Sequence, residues 1–291
     1  MTAVRAACLQ MALKPSPKEA WAHAGAMASH AATAGAQLAL LPEYWFLPRG
    51  DGPPRDPEGL SAGAREAVQD ISRDLGLAIA GNALARHEGH LHNTLFVFDR
   101  GALVGQQDKL HPMPTEERWG VLPAHDLVPF AWQGARVGGV VCADVLHPEG
   151  VRILALRGAE VLLVPVMSWL KPNDRGKDAR KAMFVARAYD NACFVLKAGS
   201  VSGPGPGRLV GRSLVAAPWG MLAEARDELG EEVVLADLDL DQLREERRRS
   251  LSLPRRRPEA YGALADPALQ VARGAPEGQE PGFDIGGPSA S

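Results

Sequence analysis

Three residues of different chemistry each end an apolar, strand-like run: Glu43 in LLPEYW, Lys109 in VGQQDKLHP and Cys142 in VGGVVCADV. Together they supply a nucleophile, a proton acceptor and a fixed positive charge. A thiol attacks weakly until a neighbouring base takes its proton. A carboxylate can be that base, and can later draw a proton from water to open a thioester. A lysine ammonium stabilises a thiolate and the charge that develops on a carbonyl oxygen. The set fits acyl transfer to water through a thioester. Taken singly, Glu43 reads as a turn acid, Lys109 as a surface lysine and Cys142 as a small core residue. Three strand ends carrying these three types are hard to account for by packing alone.

Such residues meet only if their strands end on a common edge. Strands are expected at 3–9, 37–43 and 77–82, and as a hairpin about Asp99-Arg100-Gly101. More follow at RVGGVVC, EVLLVPV and CFVLKAGSV, and near 211–217, 221–226 and 231–238. Helical spacing marks 16–34, 61–75, PEGVRILALRGA, 177–191 and 239–249. Short strands that are apolar on both faces suit an α/β protein with covered sheets. Open α/β sheets place their chemistry beyond the strand C-termini. The helix after Cys142, closed by Gly158, is expected to bring N–H donors and a positive dipole end to the thiol.

The chain has 291 residues, 46% of them hydrophobic, enough for a large core. A formal net charge of -3 gives no broad field for nucleic acid. The arginine-rich run REERRRSLSLPRRRP reads as a helix end whose cations pair with nearby acids. No apolar run reaches the roughly 20 residues that span a bilayer. The N-terminus makes a poor signal peptide, so a cytoplasmic protein is expected. Cys8 and Cys193 lie inside strand-like runs and read as core residues. His87, His90 and His92 sit at a polar turn with no ligand cluster, so no metal is expected. The run SGPGPGRL carries prolines that remove donor N–H groups, which argues against a phosphate loop. A domain at 1–261 is expected, with 262–291 as a C-terminal arm or disordered tail.

With Glu43, Lys109 and Cys142 in these contexts, the sequence resembles the nitrilase superfamily of carbon–nitrogen hydrolases. Further stretches carry the resemblance: HNTLFVFDRGALVGQQDKLH, VARAYDNACFVLKAGSV and GRSLVAAPWGMLAEA. It implies a four-layer α-β-β-α sandwich of two packed mixed β-sheets, and homodimers or larger homo-oligomers. It also implies a second glutamate soon after the lysine. Two acids stand there. Glu117, which directly precedes Arg118, is favoured, and Glu116 stays open. The Ala143 N–H is expected to help bind the oxyanion, and Asp144 to be a structural acid. Trp169, at a strand end, and Tyr44 are expected to shape the substrate pocket.

The function read from this is a cysteine hydrolase of a small-molecule amide, needing no cofactor. A nitrilase or an N-carbamoyl amino acid hydrolase is the alternative within the same chemistry. Typical nitrilases carry Trp-Glu after the cysteine, where this chain has Ala143-Asp144. Carbamoyl hydrolases often place arginines where Val145 and Leu146 stand here, so a neutral acyl portion is expected, unless Arg175 or Arg187 reaches the pocket. A non-catalytic binding relative is the alternative of another class.

Overall fold

The computed structural model describes residues 3–48, 56–169, 176–202 and 208–266. The GPGPG loop, Arg175 and all of the arm beyond residue 266 lie outside the described residues. Strand β1 (Ala3–Ala12) runs through the middle of the molecule, almost wholly buried. It pairs in parallel with β2 (Leu38–Leu40), and β2 in parallel with β3 (Ala78–His87). The strands β4 (His90–Asp99) and β5 (Ala102–Asp108) continue outward as antiparallel hairpins. Their tight turns place Glu88-Gly89 and Arg100-Gly101 at positive φ, as two-residue hairpin loops require.

The other arm holds β6 (Phe130–Trp132), β7 (Ala135–Gly139), β8 (Val161–Val166) and β9 (Phe194–Val201). In it β7, β8 and β9 are parallel, and β6 is antiparallel at the edge. Strand β10 (Leu214–Ala217) pairs with β9 and with β11 (Gly220–Glu224), and β12 (Glu232–Asp239) pairs with β1.

Where two separate packed sheets were expected, hydrogen bonds join all twelve strands into one mixed sheet. The junction is short. It consists of Met11 opposite Ser200 and Ala12 opposite Val201, where β1 meets β9. The sheet curls until its two edges approach, giving a nearly barrel-shaped α/β fold. Gly105 on β5 shows how near: a side chain there would collide with the Phe130 ring on β6, 2.2 Å from an added Cβ.

Inside the curl, Val4, Leu40 and Leu95 of one arm share a core with Val137, Leu163 and Leu196 of the other. Helices cover the outside. Helix α1 (Pro17–Thr33), capped by Ser16, and α2 (Pro57–Leu75), capped by Asp56, pack on the first arm. A short helix, α3 (Pro114–Arg118), follows β5. Helices α4 (Pro148–Leu156) and α5 (Lys177–Asn191) cover the second arm. Helix α6 (Leu240–Arg249) carries the arginine run. Its Arg244 pairs with Glu160, and Arg247 donates to the Ala155, Ala159 and Ala192 carbonyls. Among the described residues no helix is long and apolar enough to cross a membrane.

Candidate active site

The strand ends β2, β5 and β7 converge. Glu43 lies in the turn after β2, 3% exposed, and Lys109 follows β5, 1% exposed. The Lys109 Nζ donates to Glu43 Oε1 at 2.9 Å and to Glu116 Oε2 at 2.7 Å. Cys142 sits just beyond β7, and its thiol and the Glu43 carboxylate act on each other electrostatically. The sulfur also lies 3.7 Å from the Met167 carbonyl at the end of β8. The Met167 N–H donates to Glu43 Oε2 at 3.3 Å.

Glu116, not Glu117, is the acid at the lysine. Glu117 is solvent-exposed. The reason lies in helix α3. Pro114 takes the first helical position, so Glu116 falls at the third, from which a glutamate reaches back to the helix start. Glu116 Oε2 accepts the Met113 N–H at 2.7 Å, and the same oxygen faces Lys109. Its Oε1 accepts from Tyr44 Oη at 2.7 Å and from Asn93 Nδ2 at 2.6 Å.

Asn93 was not anticipated. Fully buried on β4, it donates to Glu116 and also, at 3.2 Å, to Glu43. Its Oδ1 accepts from Asn82, whose own Oδ1 accepts the Tyr44 N–H at 2.9 Å. A signal was present, since an asparagine inside an apolar strand is out of place unless something buried needs it. Tyr44, expected in the pocket, is instead buried behind Glu116, with its ring edge-on to Trp119. Trp169 follows β8 as expected, but it bridges Leu209 and does not form the wall of the cavity described below.

The expected helix start at the thiol is displaced. A 3₁₀ turn, Cys142–Leu146, intervenes, and α4 begins only at Pro148. Cys142 opens that turn at φ 49°, a left-handed conformation uncommon for a residue with a Cβ. Such strain persists only where the surroundings enforce it. Here Asp144 is the clamp. Its buried carboxylate accepts the N–H groups of Val141, Leu110 and His111. One acid thereby ties the lysine loop to the cysteine turn.

The electrostatics follow from burial around one cation. Burial pushes the Glu43 carboxyl above its ordinary range, Lys109 pulls it down, and Glu116 pushes it up again. Burial also raises the Cys142 thiol well above the usual range, and Glu43 raises it further against the pull of Lys109. A thiolate would be a third anion around a lysine already shared by two carboxylates. The resting thiol therefore keeps its proton and offers it to Glu43. Burial opposes the charge of Lys109, but Glu43, Glu116 and Cys142 together outweigh it and raise its pKa. Cys8 and Cys193 are pushed up to about 12, burial being the main cause for each, as suits core thiols.

Cys142 opens onto a cavity of about 450 Å³, walled also by Ala143, Val166, Met167, Phe184 and Lys197. Among the described residues no group of three or more His, Cys, Asp or Glu is placed to hold a metal ion.

Comparison with known proteins agrees with this geometry. The carbon–nitrogen hydrolase family model matches residues 5–248, and the chain belongs to that family. It is 26% identical over 274 residues to an omega-amidase of Homo sapiens, covering 90% of this chain and 98% of that protein. It is 30% identical over 172 residues to the 2-oxoglutaramate amidase of Bacillus subtilis (strain 168), a match spanning 58% of this chain and 64% of that enzyme. The crystal structure of an amidase from Nesterenkonia sp. superposes with a TM-score of 0.75 at 25% identity, covering 90% of this chain and 96% of that one.

Proposed function

We propose that the protein is an amidase that hydrolyses small-molecule amides through a thioester on Cys142. The observation that carries the reading is the buried set in which Glu43 accepts from the Lys109 ammonium and lies in electrostatic contact with the Cys142 thiol. The amidases among its relatives support the choice of bond.

In this mechanism the Cys142 sulfur attacks the amide carbon while its proton passes to Glu43. The raised pKa of Glu43 suits it to accept that proton. The carbonyl oxygen gathers negative charge. Glu43 and Glu116 occupy two of the three Lys109 N–H groups, which leaves the third for this oxyanion, beside the Ala143 N–H. Collapse breaks the carbon–nitrogen bond, and Glu43 returns the proton to the departing amine. Water then attacks the thioester, Glu43 takes its proton, and the acid product leaves as the thiol re-forms. Glu116 and Asn93 hold Lys109 and Glu43 in register and are positioning residues.

Ammonia release from a panel of aliphatic amides, with the acyl-enzyme trapped by acid quench and weighed intact, tests the reading. The expected result is one added acyl mass on the peptide containing Cys142. Turnover by the Cys142→Ala variant would refute it. Exposed Leu146, Ile153 and Leu156 around α4 support the further proposal of a homo-oligomer, which a sizing column would measure.

A further inference from the structure

Lys197 lies in the wall of the cavity that Cys142 faces, on β9 in the apolar run CFVLKAGSV, and only 4% of it is exposed. Among the described residues no carboxylate pairs with it within 4.0 Å. Its Nζ donates to the Gly211 carbonyl and, at 3.0 Å, to the Arg212 carbonyl. Phe184 adds a ring face 5.9 Å from the ammonium. An ammonium has three N–H groups, and two carbonyls use two of them.

The placement is enforced by the backbone. A Cβ on Gly199 would sit 2.1 Å from the Gly211 oxygen, so glycine alone lets β9 approach that segment. Arg212 is held at φ 48°. Val145, Val166, Met183, Phe184, Val210 and Leu214 form the apolar part of the wall. Charged residues line the cavity too: Lys181 pairs with Glu224, Arg212 with Glu228 and Arg226 with Glu232, and Asp178 and Arg180 also face it. Lys197 has no carboxylate partner within 4.0 Å among the described residues, and its burial leaves the field of its protonated form weakly screened.

A buried lysine without a counter-ion is costly. Burial lowers its pKa to about 7, the direction expected of an ammonium without its anion. Two readings compete for why the chain keeps it. In one it only fastens two carbonyls of a kinked segment. A neutral hydrogen-bonding side chain would do that at lower cost. In the other its missing partner arrives with the substrate.

The geometry points to Lys197 as a specificity-determining residue that binds a carboxylate at the far end of an amide substrate, whose methylenes lie along the apolar wall. The substrate class is then a short monoamide of a dicarboxylic acid, in place of the neutral acyl portion expected from Val145 and Leu146. Neither of the arginines considered from sequence supplies this cation. Arg187 donates to the Val145 and Leu146 carbonyls, and Arg175 lies outside the described residues. The inference rests on the amidase reading, and the test separates the two.

Full-length protein is given two matched sets of amides: succinamate, its methyl ester and butyramide; and glutaramate, its methyl ester and pentanamide. In at least one set the anion should exceed both neutral partners in kcat/KM by tenfold or more, equivalent to about 1.4 kcal/mol. In Lys197→Met that ratio should fall to near one. A purely structural lysine would lower all substrates of a set together and leave the ratio standing. Titration calorimetry on Cys142→Ala, with Lys197 intact, compares succinamate with butyramide and glutaramate with pentanamide without turnover. At least one anion should bind tenfold more tightly than its partner. Wild-type preference for the neutral amides in both sets, a ratio unchanged in Lys197→Met, or equal binding in both pairs to Cys142→Ala would overturn the assignment. Tighter binding of an anion with no hydrolysis of any amide would uphold Lys197 and refute the amidase reading.

Discussion

Lys109 and Lys197 are both nearly sealed from solvent, and each ammonium holds two oxygens of the protein. Their surroundings make them opposites. The oxygens at Lys109 belong to two carboxylates, which outweigh burial and keep the lysine charged. The oxygens at Lys197 belong to two peptide carbonyls, which carry only partial charge, and there burial wins. The first is a closed ion cluster, in which the cation is answered by carboxylates of the protein itself. The second is an open one, with a cation that lacks its anion. A closed cluster fixes geometry, whereas an open one can gain from a ligand.

The comparison breaks most visibly if Lys109 is made apolar. Lys109→Met leaves Glu43 and Glu116 buried side by side without a counter-charge. The expected outcome is a loss of at least a thousandfold in kcat/KM, with destabilisation of about 3–5 kcal/mol as for a broken buried pair. Lys197→Met removes a charge that has no carboxylate partner, so its cost is confined to two carbonyls left unbonded, about 1–3 kcal/mol. Urea midpoints of the two variants measured side by side check the order. An equal or larger loss in Lys197→Met would contradict it.

Glu116→Gln sharpens the comparison by opening the closed cluster partway. It keeps the shape but removes one anion. Activity is expected to fall roughly ten- to hundredfold, in the range of one lost preorganised charge contact. Glu117→Gln, on an exposed side chain, should leave both kcat/KM and stability unchanged within experimental error. A larger effect at Glu117 than at Glu116 would reverse the assignment of the second acid.

The effect on pH dependence is smaller. Glu43 must be a carboxylate to take the thiol proton, and its pKa is raised, so the acid limb of kcat/KM should lie above the ordinary glutamate range. Activity is present above that pKa and lost as pH falls through it. Glu116 is one of the groups that raises Glu43, so in Glu116→Gln the limb should move to lower pH. A limb that stays in place would show that Glu116 does not act on Glu43.

A second pH effect belongs to Lys197. Its lowered pKa means charge is present below about 7 and lost above. The preference for anionic over neutral amides should therefore weaken as pH rises through and beyond that value. Cys142, Arg212, Arg180 and Cys8 share its field, and a bound anion holds the proton on, so the decline should extend to higher pH at saturating substrate. Ratios of kcat/KM measured from pH 6 to 9 check the direction, and a ratio that rises with pH would exclude a role for the ammonium.

Much of this molecule was legible in one dimension because the signals are local. Apolar runs alternating with helical spacing announced an α/β fold, and tight turns such as Arg100-Gly101 followed from the left-handed backbone that glycine permits. The strand-end positions of Glu43, Lys109 and Cys142 were enough to place the three together, since strand ends of one sheet share an edge. Even Glu116 was within reach, because Pro114 fixes where α3 begins.

Other features depend on which chain segments lie side by side, and no local pattern encodes that. The single curled sheet exists because two residues of β1 pair with β9, a junction too short to show in periodicity. Asn93 reads as an odd residue in a strand until β4 is laid against the turns that carry Glu43 and Glu116. Tyr44 reads as a pocket aromatic until its hydroxyl meets Glu116. Nothing in the run CFVLKAGSV shows that folding seats Lys197 in the wall of the Cys142 cavity, against two carbonyls and with no described carboxylate within 4.0 Å. Residue type and spacing determined the elements and brought Glu43, Lys109 and Cys142 forward as candidates. Tertiary packing decided which charges were answered, because an ion's energy in a protein interior depends on neighbours distant in sequence and on the water they exclude.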